Sequence, residues 1–199
     1  MNRDKVTVAQ IEVCETAKKM YHSGLVAGTW GNISARVDDE YMVITPSGMD
    51  YDRLCPEDMV LVNMNTLEYE GRLKPSVETP IHAAIFKDRP EMNGIVHTHS
   101  NYALVMATAR KPIPPICDDQ VQILGGDVRV ADYTMPGSQE MAKTVVEALK
   151  DRTGALIANH GEITIGRNLS EALTGSQVLE KAAMVYQCTV YRWTGTDLR

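Results

Sequence analysis

Gly94-Ile95-Val96-His97-Thr98-His99 is an apolar run that ends in two histidines one residue apart. Side chains along a strand alternate faces, so in an extended segment His97 and His99 point the same way and can grip one cation. Downstream, Ile157-Ala158-Asn159-His160-Gly161 answers it with a second apolar run closing on a histidine. The chain has five histidines, and these three stand at the ends of strand-like segments. Three imidazoles with one position left open make the ligand set of a catalytic divalent metal, whereas structural zinc sites are closed, usually with thiolates. The pattern points to metal-assisted catalysis with His97, His99 and His160 as candidate ligands.

Working outward from these strands, helical and extended patterns alternate. Ile11, Cys14, Ala17, Met20 and Tyr21 recur at helical spacing within residues 8–21, and Gly24 marks the end. A Gly-rich turn follows. Residues 41–45 and 59–63 are short apolar runs bounded by turn residues and read as strands, with Pro46-Ser47-Gly48 as a turn between them. Thr79-Pro80 offers a cap followed by Pro, opening a helix through Phe86. After the strand carrying the two histidines come a helix from about Asn101 and a Pro-rich loop at 111–115. Then follow a helix over 137–149, a buried strand over 155–159 and a long closing helix from Leu169 to about Trp193. The alternation argues for the α/β class.

Composition narrows the functional classes. The 199 residues are 44% hydrophobic, enough for one domain with a real core. A net charge of −6, with no basic stretch interleaved with aromatics, argues against nucleic acid as partner. No apolar run reaches membrane-spanning length and no secretory signal is visible, so a soluble cytoplasmic protein without a membrane partner is expected. Cys14, Cys55, Cys117 and Cys188 are scattered, which suggests neither a disulfide framework nor a thiolate metal knuckle.

A second constellation is Lys74-Pro75-Ser76-Val77-Glu78-Thr79-Pro80. Beside a metal, Glu78 can serve as fourth ligand or as an acid/base; the simpler role is a helix-start carboxylate favoured by the macrodipole. Gly31-Asn32 and Ser47-Gly48, together with Ser76, bring backbone N–H groups and small hydroxyls that can hold a phosphate, and they are equally ordinary turn residues. His22 and His82 lie on predicted helices outside the pattern and read as partly exposed, with His82 the reserve ligand.

Taken in order, Gly31-Asn32-Ile33-Ser34, Thr45-Pro46-Ser47-Gly48, Lys74-Pro75-Ser76-x-Glu78, His97-Thr98-His99 and Asn159-His160-Gly161 resemble the class II aldolase/adducin-head family, most of all its L-fuculose-1-phosphate aldolases. The resemblance covers nearly the whole chain. It implies a three-layer α/β/α fold around a mostly antiparallel sheet, one catalytic domain over residues 1–199, and a C4 homotetramer with active sites shared between subunits. It also implies Zn2+ bound by His97, His99 and His160, with Glu78 as fourth ligand and acid/base. Other divalent transition metals suit the same donors. The substrate phosphate would be held by Gly31, Asn32, Ser47, Gly48 and Ser76, and Tyr133 would reach the neighbouring subunit's site as a proton-transfer group. The implied reaction is reversible cleavage of a ketose 1-phosphate, such as L-fuculose 1-phosphate or a related deoxyketose phosphate, to dihydroxyacetone phosphate and a short aldehyde.

Two departures stand out. Val77 replaces the second serine of the fuculose-phosphate branch, and the stretch between His99 and Tyr133 is longer, with Cys117-Asp118-Asp119-Gln120 and Gly125-Gly126 inside it. Decarboxylation, 4-epimerisation and dehydration of sugar phosphates are the competing chemistries of the same scaffold. Glu78, where the epimerase branch carries Asp, favours cleavage. A non-enzymatic interaction domain like the adducin head needs none of these side chains, and here all of them are present.

Overall fold

A computed structural model describes residues 2–193, with side chains as far as residue 190. Asn2 caps the first helix, α1 (Arg3–His22), by accepting from the Asp4 N–H at 2.9 Å. Gly24, at φ 73°, turns the chain away after it. Next come β1 (Asn32–Arg36), β2 (Tyr41–Ile44), β3 (Val60–Asn63) and the short β4 (Tyr69–Glu70). The middle of the chain forms α2 (Thr79–Asp88), β5 (Gly94–Thr98), α3 (Asn101–Ala109) and α4 (Asp118–Leu124). Then follow β6 (Arg129–Ala131), α5 (Gln139–Leu149), β7 (Gly154–Ile157), β8 (Gly161–Gly166) and α6 (Leu169–Trp193).

The strands form one eight-stranded sheet in the order β4-β3-β2-β1-β5-β8-β7-β6. β6 and β7 run parallel and every other neighbouring pair is antiparallel. Helices cover both faces. On one, Ile81, Ile85 and Phe86 of α2 and Met141 and Val145 of α5 meet Met42, Ile44, Ile95, Ile163 and Ile165. On the other, Val13, Ala17 and Met20 of α1 meet Ile33, Val43, Leu61 and Val96, while α3, α4 and α6 close over Leu156. This is the three-layer α/β/α arrangement with a mostly antiparallel sheet that the family resemblance implied.

Burial on both faces makes central strands apolar throughout unless polar side chains satisfy one another. β1 and β8 are the exceptions. In β1, Ile33 and Ala35 face α1, while Asn32 and Ser34 face α2; in β8, Glu162 and Thr164 face α6. Both strands were absent from the sequence reading, as were β4, β6 and α4. Boundaries also moved. β5 ends at Thr98, so His99 lies one residue beyond the strand, and Glu78 rather than Thr79 occupies the cap position of α2. Thr79 instead donates its hydroxyl to Ser76 O at 2.6 Å. Helix α5 starts two residues later than expected, where Ser138 accepts from the Met141 N–H at 3.1 Å.

Candidate active site

The three histidines reach one place by separate routes. His97 sits on β5, opposite Ile163 of β8 and Asn32 of β1. His99 follows at the mouth of the strand. His160 is delivered by the β7–β8 connection, where Asn159 adopts the left-handed conformation at φ 57° that Asn tolerates better than other non-glycine residues. The three rings pack edge to face, with centroids 4.8–4.9 Å apart, and one ligand atom from each lies within 4.8 Å of the others. Close approach of β8 to β5 requires Gly161, whose missing Cβ would overlap the Thr98 carbonyl oxygen and come 3.1 Å from the His99 ring. Gly31, at φ 100°, is required in the same way: a Cβ there would lie 2.8 Å from His97 O.

Glu78 brings a carboxylate into this cluster from the α2 cap position without making a side-chain cap bond. Oε2 lies 3.0 Å from His97 Nε2, and Oε1 lies 3.0 Å from His160 Nε2 with no aligned hydrogen bond. His97 Nε2 and His99 Nε2 are also 3.0 Å apart. His97 donates from Nδ1 to the Glu162 carbonyl at 2.7 Å, which leaves its Nε2 as a lone pair. Bare nitrogens and carboxylate oxygens converging at such distances repel unless a proton or cation lies among them. This donor set, neutral imidazoles plus one carboxylate with a backbone carbonyl orienting His97 from behind, fits a divalent transition metal. The protonation preferences of His99 and Glu78 agree, while His97, raised by Glu78, favours a proton in the place a cation would take. Burial, together with His97 and His160, pushes His99 down to about 3 and keeps it a bare ligand. Burial would raise Glu78, but His97 and His160 hold its carboxyl far below the usual range. Burial would likewise lower His97, and Glu78 more than offsets it.

A cleft of about 260 Å3 opens beside the cluster, lined by Gly31, Asn32, Ser47, Gly48, Ser76, Glu78, His99 and His160. Every candidate phosphate residue named from the sequence is therefore at its wall. Their offers differ from the expected exposed backbone donors. Ser47 N–H is used on Lys74 O at 3.0 Å and Ser76 N–H on Thr45 O at 3.1 Å, so these two residues have their hydroxyls to present. The Asn32 amide is engaged inward, with Nδ2 2.7 Å from Glu78 Oε2. Thr29, Trp30, Pro46, Val77 and Pro136 complete the wall, which among the described residues holds no Lys or Arg.

Tyr133 is 52% exposed and lies outside the lining of its own cleft, whereas its loop neighbour Pro136 is part of that lining. His22 is exposed and pairs with Asp52 at 3.0 Å, as a surface helix residue should. His82 is a correction. It is fully buried rather than partly exposed, and its ring nitrogens are taken by Ser34 and Asn32, which leaves it outside the ligand cluster.

Other contributors were missed. Trp30 is 67% exposed at the cleft mouth, its ring 5.8 Å from that of His99. Tyr51 donates its hydroxyl to Gly31 O at 2.7 Å and fixes the glycine turn from below. Glu162, fully buried behind His97, accepts from Thr98 and Ser176. The available signal was the alternation Gly161-Glu162-Ile163-Thr164-Ile165-Gly166, a strand period with its polar half turned to an unseen partner.

The sequence profile described as the Class II Aldolase and Adducin N-terminal domain matches residues 11–187. The chain is 36% identical over 179 residues to a 5-deoxy-D-ribulose 1-phosphate aldolase of Bacillus thuringiensis serovar kurstaki, covering 89% of this chain and 84% of that protein. It is 37% identical over 187 residues to an L-fuculose phosphate aldolase of Haemophilus influenzae, covering 94% and 84%. Among solved structures, an L-fuculose 1-phosphate aldolase superposes with a TM-score of 0.87 at 32% identity, over 94% of this chain and 88% of that one.

Proposed function

Because the chain belongs to the class II aldolase and adducin N-terminal domain family, we propose that it is a metal-dependent aldolase, one catalytic domain throughout, that reversibly cleaves a ketose 1-phosphate to dihydroxyacetone phosphate and a short aldehyde. The observation that carries this is the convergence of three imidazoles, two of them 3.0 Å from the Glu78 carboxylate, beside a cleft that also presents glycines and small hydroxyls. The two aldolase relatives act, by their names, on different sugar phosphates, so the aldehyde fragment is left to experiment.

His97, His99 and His160, with Glu78, would hold Zn2+, and the ion when bound supplies Lewis-acid stabilisation for the negative charge that carbon–carbon cleavage leaves on the three-carbon fragment. The residues of the chain do the rest. The Ser47 and Ser76 hydroxyls, with the Gly31-Asn32 and Gly48 turns, bind the substrate phosphate and fix its register along the cleft. Glu78 moves the proton at C3 of dihydroxyacetone phosphate. Tyr133, exposed and absent from its own cleft, serves the aldehyde oxygen in the site of an adjacent subunit, which is what a cyclic homotetramer would provide. Such an enzyme would work in the cytoplasm; among the described residues no helix is long and apolar enough to cross a membrane.

The test is condensation. The zinc-loaded protein, given dihydroxyacetone phosphate and a panel including L-lactaldehyde and glycolaldehyde, is expected to form a ketose phosphate, to stop with EDTA, and to fall at least about 100-fold on Glu78→Gln. Full activity in that variant, or a borohydride-trapped covalent adduct with substrate, overturns the assignment.

A further inference from the structure

His82 is bonded at both ring nitrogens inside the protein. Nδ1 lies 2.6 Å from Ser34 Oγ and Nε2 lies 2.6 Å from Asn32 Oδ1, while Asn32 Nδ2 lies 2.7 Å from Glu78 Oε2. The geometry follows from two periods. Asn32 and Ser34, two apart on β1, share a face, and Glu78 and His82, four apart at the start of α2, share the helix flank that meets it. All four side chains are buried, none more than 4% exposed.

Donor and acceptor chemistry gives this chain of bonds a single polarity. An ionised Glu78 only accepts, so Asn32 must turn its NH2 group toward it. The amide oxygen then faces His82 Nε2, which must carry the hydrogen. A neutral imidazole with its hydrogen on Nε2 has a bare Nδ1, and the Ser34 hydroxyl fills it. Burial and nearby His97 push His82 down to about 3, which keeps the ring neutral. The chain stops at Ser34, which is fully buried, so it leads no proton to solvent; it orients.

The two ends of an Asn amide are nearly equal in shape, and nothing in Asn32 itself chooses which end meets Glu78. With the oxygen inward, two acceptors would face each other in a buried site, where an unpaired polar group is costly. We propose that His82 is a positioning residue for the reaction: by accepting from Ser34 and donating to Asn32, it locks the Asn32 amide so that its NH2 holds Oε2 of Glu78 and leaves Oε1 turned toward His160. This rests on Glu78 being the acid/base of the proposed reaction.

The test combines four variants with one spectrum. His82→Leu is expected to lower kcat about 10–100-fold with little change in KM, the range seen for groups that orient a metal site's inner residues. His82→Gln, which supplies one donor and one acceptor, restores most of that loss. If His82 acts through Asn32, His82→Leu adds nothing on an Asn32→Ala background. The 15N spectrum of the wild-type ring is expected to show hydrogen on Nε2 and a bare Nδ1, and the crystal structure of His82→Leu to show Glu78 displaced. Wild-type kcat in His82→Leu, additive losses in the double variant, or hydrogen on Nδ1 overturns the proposal. Should His82→Leu not fold, His82→Gln, Asn32→Ala and the spectrum still decide it. An inactive wild type would instead defeat the aldolase assignment, while the ring tautomer and the place of Glu78 in the variant remain readable without activity.

Discussion

The side chain of Glu162 is fully buried beneath the β5–β8 pair, where Oε1 accepts the hydroxyls of Thr98 at 2.6 Å and Ser176 at 2.8 Å while Oε2 has no hydrogen-bond partner among the described residues. Burial pushes its carboxyl up to about 7 despite those two bonds. A carboxyl raised on folding takes up protons that the unfolded chain, titrating near 4.3, has already released. Its contribution to stability is therefore fully present below about pH 4 and is lost as pH rises through about 7, on the order of 4 kcal/mol in all. In metal-free protein, Glu162→Gln is expected to flatten the fall in unfolding free energy between pH 5 and 8 relative to wild type, read from urea titrations at each pH. Equal slopes in the two proteins would show that Glu162 does not carry this proton. The same residue links fold to site, because its backbone carbonyl is the group that orients His97.

Elements are positioned by polar groups as much as by apolar faces. Helix α3 begins two residues after His99, with Ser100 as its cap residue, and its N-terminus is filled from another helix: Glu180 of α6 accepts from Ser100 Oγ at 2.7 Å, Tyr102 N–H at 3.0 Å and Ala103 N–H at 2.8 Å. A carboxylate on the free N–H groups of a helix start stabilises both the cap and the dipole. Glu180→Ala is expected to cost about 1 to 2 kcal/mol of stability and to loosen the segment carrying His99, measured by chemical denaturation and by amide exchange at Tyr102 and Ala103. Unchanged exchange there would remove the cap from the account. The same polar pairing explains what the sequence displayed and what it concealed. Helix α1 declared itself by apolar spacing, α2 by its Thr-Pro start, and β5 by its unbroken run. β1 and β8 did not, because Asn32, Ser34, Glu162 and Thr164 look like loop or surface residues until their partners on α2 and α6 are known. The candidate ligands were legible because His-x-His needs only strand alternation. His82 was not, since its partners are some fifty residues away on β1.

At the scale of the whole molecule, the cluster ties together the centre of the sheet and the start of a helix: His97 from β5, His160 from the β7–β8 turn and Glu78 from α2. An ion bound only by the folded chain stabilises it by mass action, about 2.7 kcal/mol at a hundredfold excess over its dissociation constant. For a domain of this size that is roughly 5–10 °C in melting temperature. Zinc is expected to raise the melting temperature of the wild type by about this amount, EDTA to reverse it, and His99→Ala to abolish the response. An equal zinc response in His99→Ala would place the ion elsewhere. Separation along the chain adds a further consequence. About sixty residues lie between His97 and His160, and the second of them leaves a ribosome only after most of the chain has been made. A nascent chain that has already exposed His-x-His thus has an unfinished chelate, and a product truncated before His160 never completes it. Metal retention through gel filtration would then report more than occupancy: it would sort chains that were finished from chains that were not.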